Sequence, residues 1–303
     1  MTRSRASLPV DLLNPGQVFA CLGLLEAADL LCGEAVGGYD CSRPRNVRFE
    51  LEALGSQSPV AVVLDFLSKS TVRTIAPPDC GLTTQPWDVP TDVLDVGAPF
   101  PFPTPSSPAT LPAVLFAGTD APGLRTPVSV VIDHWGDATK RDNVKFWAGA
   151  GGFPGAGLAR DAVRLLPTRT AAVSDDPFAV SAPQTSSFRF DWRRDYVPMN
   201  VGFSPNDHTD MTMIGFPLVE LLAAIGLTHA RPQRPHRANK LAYRYGVVAC
   251  GDPVELLGPL FHRVALGCGT LPFAMRTFQI ALGWPGKEGQ ARSIIAVTEE
   301  TAP

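Results

Sequence analysis

The amino-acid sequence predicts an α+β fold in which helices pack on a mixed or antiparallel sheet, with a long proline-rich irregular insertion. Apolar residues make up 45% of the 303 residues, which is enough for a sizeable core. Helical and strand patterns follow one another without regular alternation, which disfavours a parallel β/α arrangement. The insertion is indicated by residues 74–124, which contain 11 of the 30 prolines and no Lys or Arg.

The first strong element is a helix that begins at Pro15. Asn14 suits the N-cap, Gln17 can close a capping box, and Gly33 is a natural stop. Apolar residues cover most of this helix, so we expect it to be buried on more than one side. Residues 47–54 alternate as a half-exposed strand. Residues 60–67 form a short apolar element that fits either a helix or a strand.

Residues 74–124 differ from the rest of the chain. Their five aspartates give this segment a net charge of −5, and runs such as PFPFPTPSSP cannot form regular structure. We interpret the segment as an acidic surface insertion or linker between an N-terminal helix and strand part, residues 1–73, and a main α+β part, residues 125–303. The alternative is a loop that docks another protein.

The main part contains both the apolar period of helices and the alternation of strands. Strands are predicted at 128–132, 187–192, 241–248, 277–284 and 291–298, and helices at 159–166, 217–226 and 253–266. The helices that begin at Pro15 and Pro217 are both apolar and both contain an internal glycine.

Composition and charge exclude several classes of protein. The net charge of −3 rules out nucleic-acid binding by bulk charge alone. Six cysteines without a CxxC pair predict free thiols in a reducing, cytoplasmic compartment. The apolar stretch 18–31 contains Glu26 and Asp29, so it indicates a helix of a soluble protein rather than a signal core, and no window is long and apolar enough to predict a membrane span.

Enzyme motifs are absent from the sequence. It contains no GxSxG, HExxH or GxxxxGK[ST] pattern, and its glycine-rich stretch at 149–157 does not match GxGxxG. That stretch could hold a phosphate at a helix N-terminus, although tight helix–sheet packing is the favoured interpretation. We therefore predict no enzymatic activity and no cofactor.

Two Asp/His clusters keep a metal-dependent hydrolase open as an alternative. One contains Asp133, His134 and Asp137, and the other lies at 206–210. Imidazole with carboxylates suits Zn, Mn or Fe, but a hydrolytic site requires the two clusters to converge. Ordinary turn chemistry is the favoured interpretation of both. His262, Cys250 and Cys268 lack zinc-ligand spacing and are predicted to be core residues.

The clearest charged feature lies at 229–245. Residues 221–251 contain five Lys or Arg and no acid, and arginines spaced by three among prolines suit a loop that tracks a phosphate backbone. Tyr243 and Tyr245 could stack on bases, and a solvated basic loop is the competing interpretation. A second basic cluster lies beside Trp147. The predicted nucleic-acid-binding residues are Arg231, Arg234, His236, Arg237, Lys240 and Arg244 in the loop, and Lys140, Arg141 and Lys145 in the second cluster.

A third basic group, at 189–194, is diluted by Asp191 and Asp195. We expect internal salt bridges there rather than nucleic-acid contacts.

Four segments resemble a CRISPR-associated family. NPGQVFACLGLLEAADLL at 14–31, KFWAGAGG at 145–152, FRFDWRRD at 188–195 and ELLAAIGLTHARP at 220–232 are similar to the short large-subunit-type Cascade protein of type I-U (I-G) effector complexes. The resemblance extends from about residue 10 to about residue 250 and does not include the acidic insertion.

The resemblance implies a non-catalytic subunit of an RNA-guided surveillance complex. The implied partners are guide RNA (crRNA), target double-stranded DNA, other Cascade subunits and the nuclease-helicase effector, and the implied role includes recognition of the flanking DNA motif (PAM). No individual functional residue is carried over from the family. The repeated subunit that binds guide RNA along its length is the alternative within the same complex, and the net charge of −3 mildly disfavours it.

Overall fold

The computed structural model describes residues 2–117, 128–136, 153–166, 173–194, 213–251, 253–284 and 292–300. Within these ranges the chain has the predicted α+β class, with helices packed on several separate sheets. One large hydrophobic cluster contains residues from all three sequence segments, among them Phe19, Val89 and Phe278. None of the described helices is long and apolar enough to cross a membrane.

The first sheet is built mainly from the N-terminal residues. Its strand order is β1-β3-β2-β11, antiparallel except for the last pair. The strands are β1 (Arg3–Pro9), β2 (Val36–Asp40), β3 (Arg48–Leu54) and β11 (Cys250–Gly251). The strand predicted at 47–54 is therefore confirmed as β3. Helix α1 (Pro15–Leu31) connects β1 to β2 and is capped by the Asn14 side chain, as predicted.

The second sheet follows an element that the sequence left open between helix and strand. The apolar element at 60–67 is a helix, α2 (Pro59–Lys69), because Pro59 occupies its first turn and the Ser58 hydroxyl caps it. The sheet has the order β5-β4-β6-β7. Its strands are β4 (Ser70–Ala76), β5 (Thr91–Val93), β6 (Ala113–Ala117) and β7 (Ser129–Ile132).

The proline-rich segment is joined to this second sheet. It is irregular over most of its described length, but it supplies β5 and β6, and Leu111 is fully buried. The indole N–H of Trp135 donates to the Leu111 carbonyl at 3.0 Å. Part of the acidic charge of the proline-rich segment is paired, since the Asp88 carboxylate accepts a hydrogen bond from the Arg164 guanidinium at 2.6 Å. The described part of the segment is thus packed on the main body.

The third sheet is antiparallel and confirms three predicted strands. It has the order β10-β12-β13, with β10 (Ala242–Val248), β12 (Met275–Gly283) and β13 (Ser293–Glu300). Two further short strands, β8 (Ala182–Pro183) and β9 (Ile214–Gly215), pair with each other. Helix α3 (Gly155–Arg164) begins four residues earlier than predicted.

Helix α5 (Pro259–Leu266) is shorter than the predicted helix at 253–266. The reason is tertiary: Leu257 exchanges two backbone hydrogen bonds with Gly37, at 2.8 and 2.9 Å, and is therefore held in an extended bridge. The helix can begin only after this bridge. His262 is buried in the core, as predicted, and burial lowers its pKa to about 4.

Helices α1 and α4 (Pro217–His229) form the centre of the molecule and cross at their internal glycines. A Cβ on Gly23 would lie 1.8 Å from the Leu222 carbonyl oxygen, and a Cβ on Gly226 would lie 2.4 Å from the Phe19 carbonyl oxygen. Gly226 therefore allows the two helices to pack closely and does not end α4. The prediction that this helix stops near Gly226 was wrong by about one turn.

The prediction of a strand at 187–192 was also wrong. Phe188 and Phe190 share one face, as alternation predicts, and both are fully buried with their rings stacked 5.5 Å apart, but no strand forms at these residues. Arg189 between them has a φ of 65°. The N–H groups of Phe190 and Asp191 each donate to the buried Glu220 carboxylate at 3.0 Å. A side chain of α4 thus replaces the neighbouring strand as hydrogen-bond acceptor.

A polar cluster, which we call the Asp191 junction, joins this segment to α1 and α4. Its residues Asn14, Asp191 and Glu220 are buried, and Arg193 completes it from a partly exposed position. The Asn14 amide donates to Asp191 at 2.9 Å, and the Arg193 guanidinium donates to both carboxylate oxygens of Asp191. This confirms the predicted internal salt bridge for Arg193, which pairs with Asp191.

The prediction that Gln17 closes a capping box on α1 was wrong. Its side-chain oxygen accepts from the Asp11 backbone N–H at 2.7 Å. Gln17 thereby fixes the chain that enters α1 from β1.

The expectation of free thiols was wrong for two of the six cysteines. Cys41, which follows β2, forms a disulfide with Cys250 of β11, with 5.7 Å between their Cα atoms. The two cysteines are 209 residues apart in sequence, so no local pattern could pair them. Cys21, Cys32, Cys80 and Cys268 are free.

Candidate nucleic-acid interface

The loop between α4 and β10 carries the basic residues that the sequence singled out. Its base is attached to β10, because Gln233 and Arg244 exchange two backbone hydrogen bonds of 2.8 Å. Beyond this bridge the chain turns back on itself, and the Asn239 N–H donates to the His236 carbonyl at 3.0 Å. We call residues 234–240 the basic turn.

The two ends of the predicted site are occupied by internal contacts. The Arg231 guanidinium donates to the backbone carbonyl of His134. Arg244 forms an ion pair with Glu300 of β13, and its Nε donates to that carboxylate at 2.8 Å. This hydrogen bond raises the pKa of Arg244. The sequence argument that the loop lacks counter-ions is therefore wrong for Arg244, because Glu300 lies far outside the local window.

The middle of the loop presents its charges to solvent. His236, Arg237 and Lys240 are exposed, and among the described residues no carboxylate pairs with them. Arg234 is half-buried, with its guanidinium 5.9 Å from the centre of the Tyr243 ring and one N–H donating to the Arg237 carbonyl. Three cations and one imidazole thus lie within seven residues. Arg and Lys side chains in this arrangement suit phosphate oxygens, which accept charge-assisted hydrogen bonds.

The predicted stacking tyrosines do not face this surface. Tyr243 is 3% exposed and Tyr245 is fully buried, so neither can receive a base on its ring. Tyr245 donates its hydroxyl to the Leu12 carbonyl at 2.6 Å and stacks on Phe278. The alternation of β10 explains this, because residues 243 and 245 share the core face while Arg244 points to the other face.

The second predicted basic cluster, Lys140, Arg141 and Lys145, lies outside the described residues, and so does Trp147. Its role stays a prediction.

The Asp/His clusters are described only in part. His134 is 2% exposed, and its ring lies 4.6 to 5.9 Å from those of Trp135, Phe188 and Phe190. It therefore belongs to an aromatic core. Asp137 and residues 206–210 lie outside the described residues. Within the described ranges, no three His, Cys, Asp or Glu side chains are grouped to hold a metal ion.

The described part of the glycine-rich stretch is explained by packing. A Cβ on Gly155, the first residue of α3, would lie 2.7 Å from the Trp135 ring. A Cβ on Gly157 would lie 2.8 Å from the Phe153 ring. These glycines allow α3 to approach aromatic side chains, which supports the tight-packing interpretation over a phosphate site.

Sequence reasoning missed a second pair of exposed arginines. Arg43 and Arg45 lie in the loop between β2 and β3, and both are exposed. Their Arg-Pro-Arg pattern resembles the spacing of arginine and proline in RPQRPHR at 231–237, and that shared pattern was the available signal.

Arg45 also lines a surface groove with a volume of about 880 Å³. The charges that line this groove are mixed: Arg45, Arg193 and Arg276 face Asp11, Asp176 and Glu299. Arg193 and Arg276 are already ion-paired. The groove therefore lacks the uniformly positive lining that a phosphate backbone requires, and the basic turn is the better candidate interface. No family model, curated protein or solved structure matches this chain.

Proposed function

We propose that this chain is a non-catalytic subunit of a type I CRISPR RNA-guided surveillance complex and contacts guide RNA or target DNA through the basic turn. The observation that carries the proposal is the contrast within one loop. Its ends are tied down by Arg231 and Arg244, while His236, Arg237 and Lys240 are exposed at its tip. A rigidly based, cationic tip is suited to positioning a phosphate backbone.

The arrangement of the resembling segments supports the same proposal. Three of the four segments meet in the described core: α1 crosses α4, and residues 188–194 join both through the Asp191 junction. These three segments thus build one connected scaffold, and α4 leads through residues 230–233 into the basic turn. The proposed partners are crRNA, target double-stranded DNA, other Cascade subunits and the nuclease-helicase effector, met in the cytoplasm.

In the proposed complex, the nucleic acid and the protein have different roles in recognition. Base pairing between guide and target strand reads the sequence, while the protein contacts the backbone and the short flanking motif. Phosphate contacts fix register without reading bases, so the basic turn would position DNA for motif recognition and effector recruitment.

The first experiment is a tagged pull-down from the native host, with bound proteins identified and bound nucleic acid sized. We expect one uniform short RNA and several other subunits in a fixed ratio. Recovery of the chain alone and free of nucleic acid would contradict the proposal. A ratio with several copies of this chain would support the repeated backbone subunit instead.

The second experiment tests the interface in the assembled complex. Changing Arg234, Arg237 and Lys240 together to Ala should weaken target DNA binding at least about tenfold and reduce the salt slope by about two to three units. The charge-matched control changes Lys69, Arg73 and Arg164 to Ala, all about half exposed and distant in sequence. An unchanged salt slope in the turn variant, or an equal loss in the control, would remove the basic turn as the interface.

A further inference from the structure

The disulfide between Cys41 and Cys250 lies at a surface where the first sheet gains its last strand. β11 pairs with β2 over only two residue pairs, Cys250 with Tyr39 and Gly251 with Asp40. Both cysteines are half-buried rather than enclosed in the core. The Cα separation of 5.7 Å is in the normal range for a disulfide, so the backbone needs no rearrangement to form the bond.

A cation lies against both sulfur atoms. Nη1 of Arg276 is 3.5 Å from Sγ of Cys41 and 3.8 Å from Sγ of Cys250. The guanidinium is held in place by Glu299, to which Nε and Nη2 donate at 2.6 and 2.7 Å. A fixed arginine beside a thiol favours the thiolate, which is the reactive form in disulfide exchange.

The free cysteines with perturbed pKa values have the opposite environment. Burial raises the pKa of the Cys21 thiol well above its usual value, and it raises the pKa of Cys268 to about 11. Burial also raises the pKa of Cys32. The pair beside Arg276 is therefore distinguished from these thiols by both its geometry and its charge.

We propose that Cys41 and Cys250 form a redox-active dithiol that exchanges with small disulfides of the glutathione type. Two half-buried cysteines beside a cation, joined across a two-residue strand pairing, match a labile disulfide rather than an enclosed structural one. This inference is independent of the proposed nucleic-acid function, since it rests on the two sulfurs and Arg276 alone.

The chemistry is a two-step thiol–disulfide exchange. The Cys41 thiolate, the nearer to Arg276, attacks one sulfur of the small disulfide, whose S–S bond breaks and releases one thiolate. The Cys250 thiolate then attacks the Cys41 sulfur of the mixed disulfide and expels the second small thiolate. Two electrons pass from the protein thiols to the small disulfide, and the two thiol protons end on the two released small thiols.

Oxidation has a structural consequence at the groove. The loop that follows Cys41 carries Arg45, and Arg45 lines the groove together with Arg276. The bond ties the start of this loop to β11, so its formation restricts one wall of the groove. Because the closed chain segment is long, oxidation should raise the thermal midpoint by about 5 °C.

The test uses the purified full-length chain in buffers of varied ratio of reduced to oxidised glutathione, with disulfide-linked peptides mapped by mass spectrometry. We expect a Cys41–Cys250 bond that forms and is lost reversibly as the ratio changes at millimolar glutathione. A bond that resists millimolar reduced glutathione is structural and overturns the proposal. A pair that never oxidises also overturns it.

Single substitutions test the order of attack. In Cys250→Ser, Cys41 should accumulate a mixed disulfide with glutathione, because the thiol that resolves it is missing. In Cys41→Ser, accumulation at Cys250 should be slower. Equal accumulation in both variants would contradict the assignment of Cys41 as the attacking thiol.

Arg276→Gln tests the cation. In the Cys250→Ser background it should slow alkylation of Cys41 by about three- to tenfold. The matched control is Arg244→Gln, which also releases a glutamate of β13 but contacts neither sulfur of the pair. Equal slowing in both variants would show that disturbance of β13, rather than the Arg276 charge, controls reactivity, and it would overturn the role of Arg276.

Discussion

The Asp191 junction and the basic turn both concentrate polar side chains, but they treat them in opposite ways. In the junction the Asp191 carboxylate is fully buried, and its oxygens accept from the Asn14 amide and the Arg193 guanidinium. In the basic turn Arg237 and Lys240 are exposed, and no described carboxylate pairs with them. Buried polar groups must find partners within the fold, whereas exposed cations remain available for a ligand.

The difference separates residues that build the core from residues that face solvent. Segments 14–31, 188–194 and 220–229 build the core, since they bury polar side chains and allow two helices to touch. The exposed cations of the basic turn lie in a loop outside that core. The predictions below test this division, from the largest expected effect to the smallest.

The helix crossing beside the junction should be the most sensitive point. Helix propensity alone predicts that Gly23→Ala gains about 1 kcal/mol. The new Cβ would meet the Leu222 carbonyl at 1.8 Å and the Gly226 nitrogen at 2.9 Å, so we instead expect a loss of about 3 kcal/mol in the free energy of unfolding. Denaturant titration measures the change. Gly258→Ala, whose Cβ meets nothing within 4 Å, is the control, and a stabilised Gly23 variant would contradict the close crossing.

The junction itself should come next. Asp191→Ala removes the buried carboxylate to which Asn14 and Arg193 donate, and Arg193 keeps only the Phe178 carbonyl among its described acceptors, so we expect a loss of about 2–3 kcal/mol in unfolding free energy. The matched control is Asp92→Ala, which removes a surface ion pair with Arg73 and should cost under about 1 kcal/mol. Equal losses in thermal or denaturant unfolding would show that burial does not distinguish the two aspartates.

The smallest effect separates the two parts of the basic loop. Arg231→Ala removes a half-buried guanidinium that donates to the His134 carbonyl, so the unfolding free energy should fall by about 1–2 kcal/mol. Arg237→Ala removes an exposed cation and should change stability by less than about 0.5 kcal/mol. Comparable stability losses for both variants would mean that Arg237 is also part of the fold.

Local patterns predicted the elements that depend on local physics. Helix α1, with its N-cap and its burial on several sides, followed from Asn14, Pro15 and a dense apolar run. Strands β3, β10, β12 and β13 followed from alternation. The α+β class followed from the mixture of periods without regular alternation.

Two of the failures share one cause, which is a partner distant in sequence, and a third has a local cause. Residues 187–192 alternate like a strand, but Glu220 supplies the acceptor that a neighbouring strand would have supplied. The predicted helix at 253–266 loses its first half to a bridge with Gly37. β5 and β6 were concealed by prolines, because a proline-rich run suppresses the local strand pattern while leaving short segments free to pair.

The sequence predicted only part of the candidate interface, because the remaining part depends on partners distant in sequence. The sequence by itself determined where the positive charge is concentrated and that the Pro15 and Pro217 helices are core elements, because charge and apolar period are properties of neighbouring residues. Only the tertiary structure decided that Glu300 neutralises Arg244, that Tyr243 and Tyr245 face the core, and that Cys41 meets Cys250. Each of these outcomes depends on a contact between segments tens to hundreds of residues apart, and a local pattern carries no information about which distant segment will supply the partner.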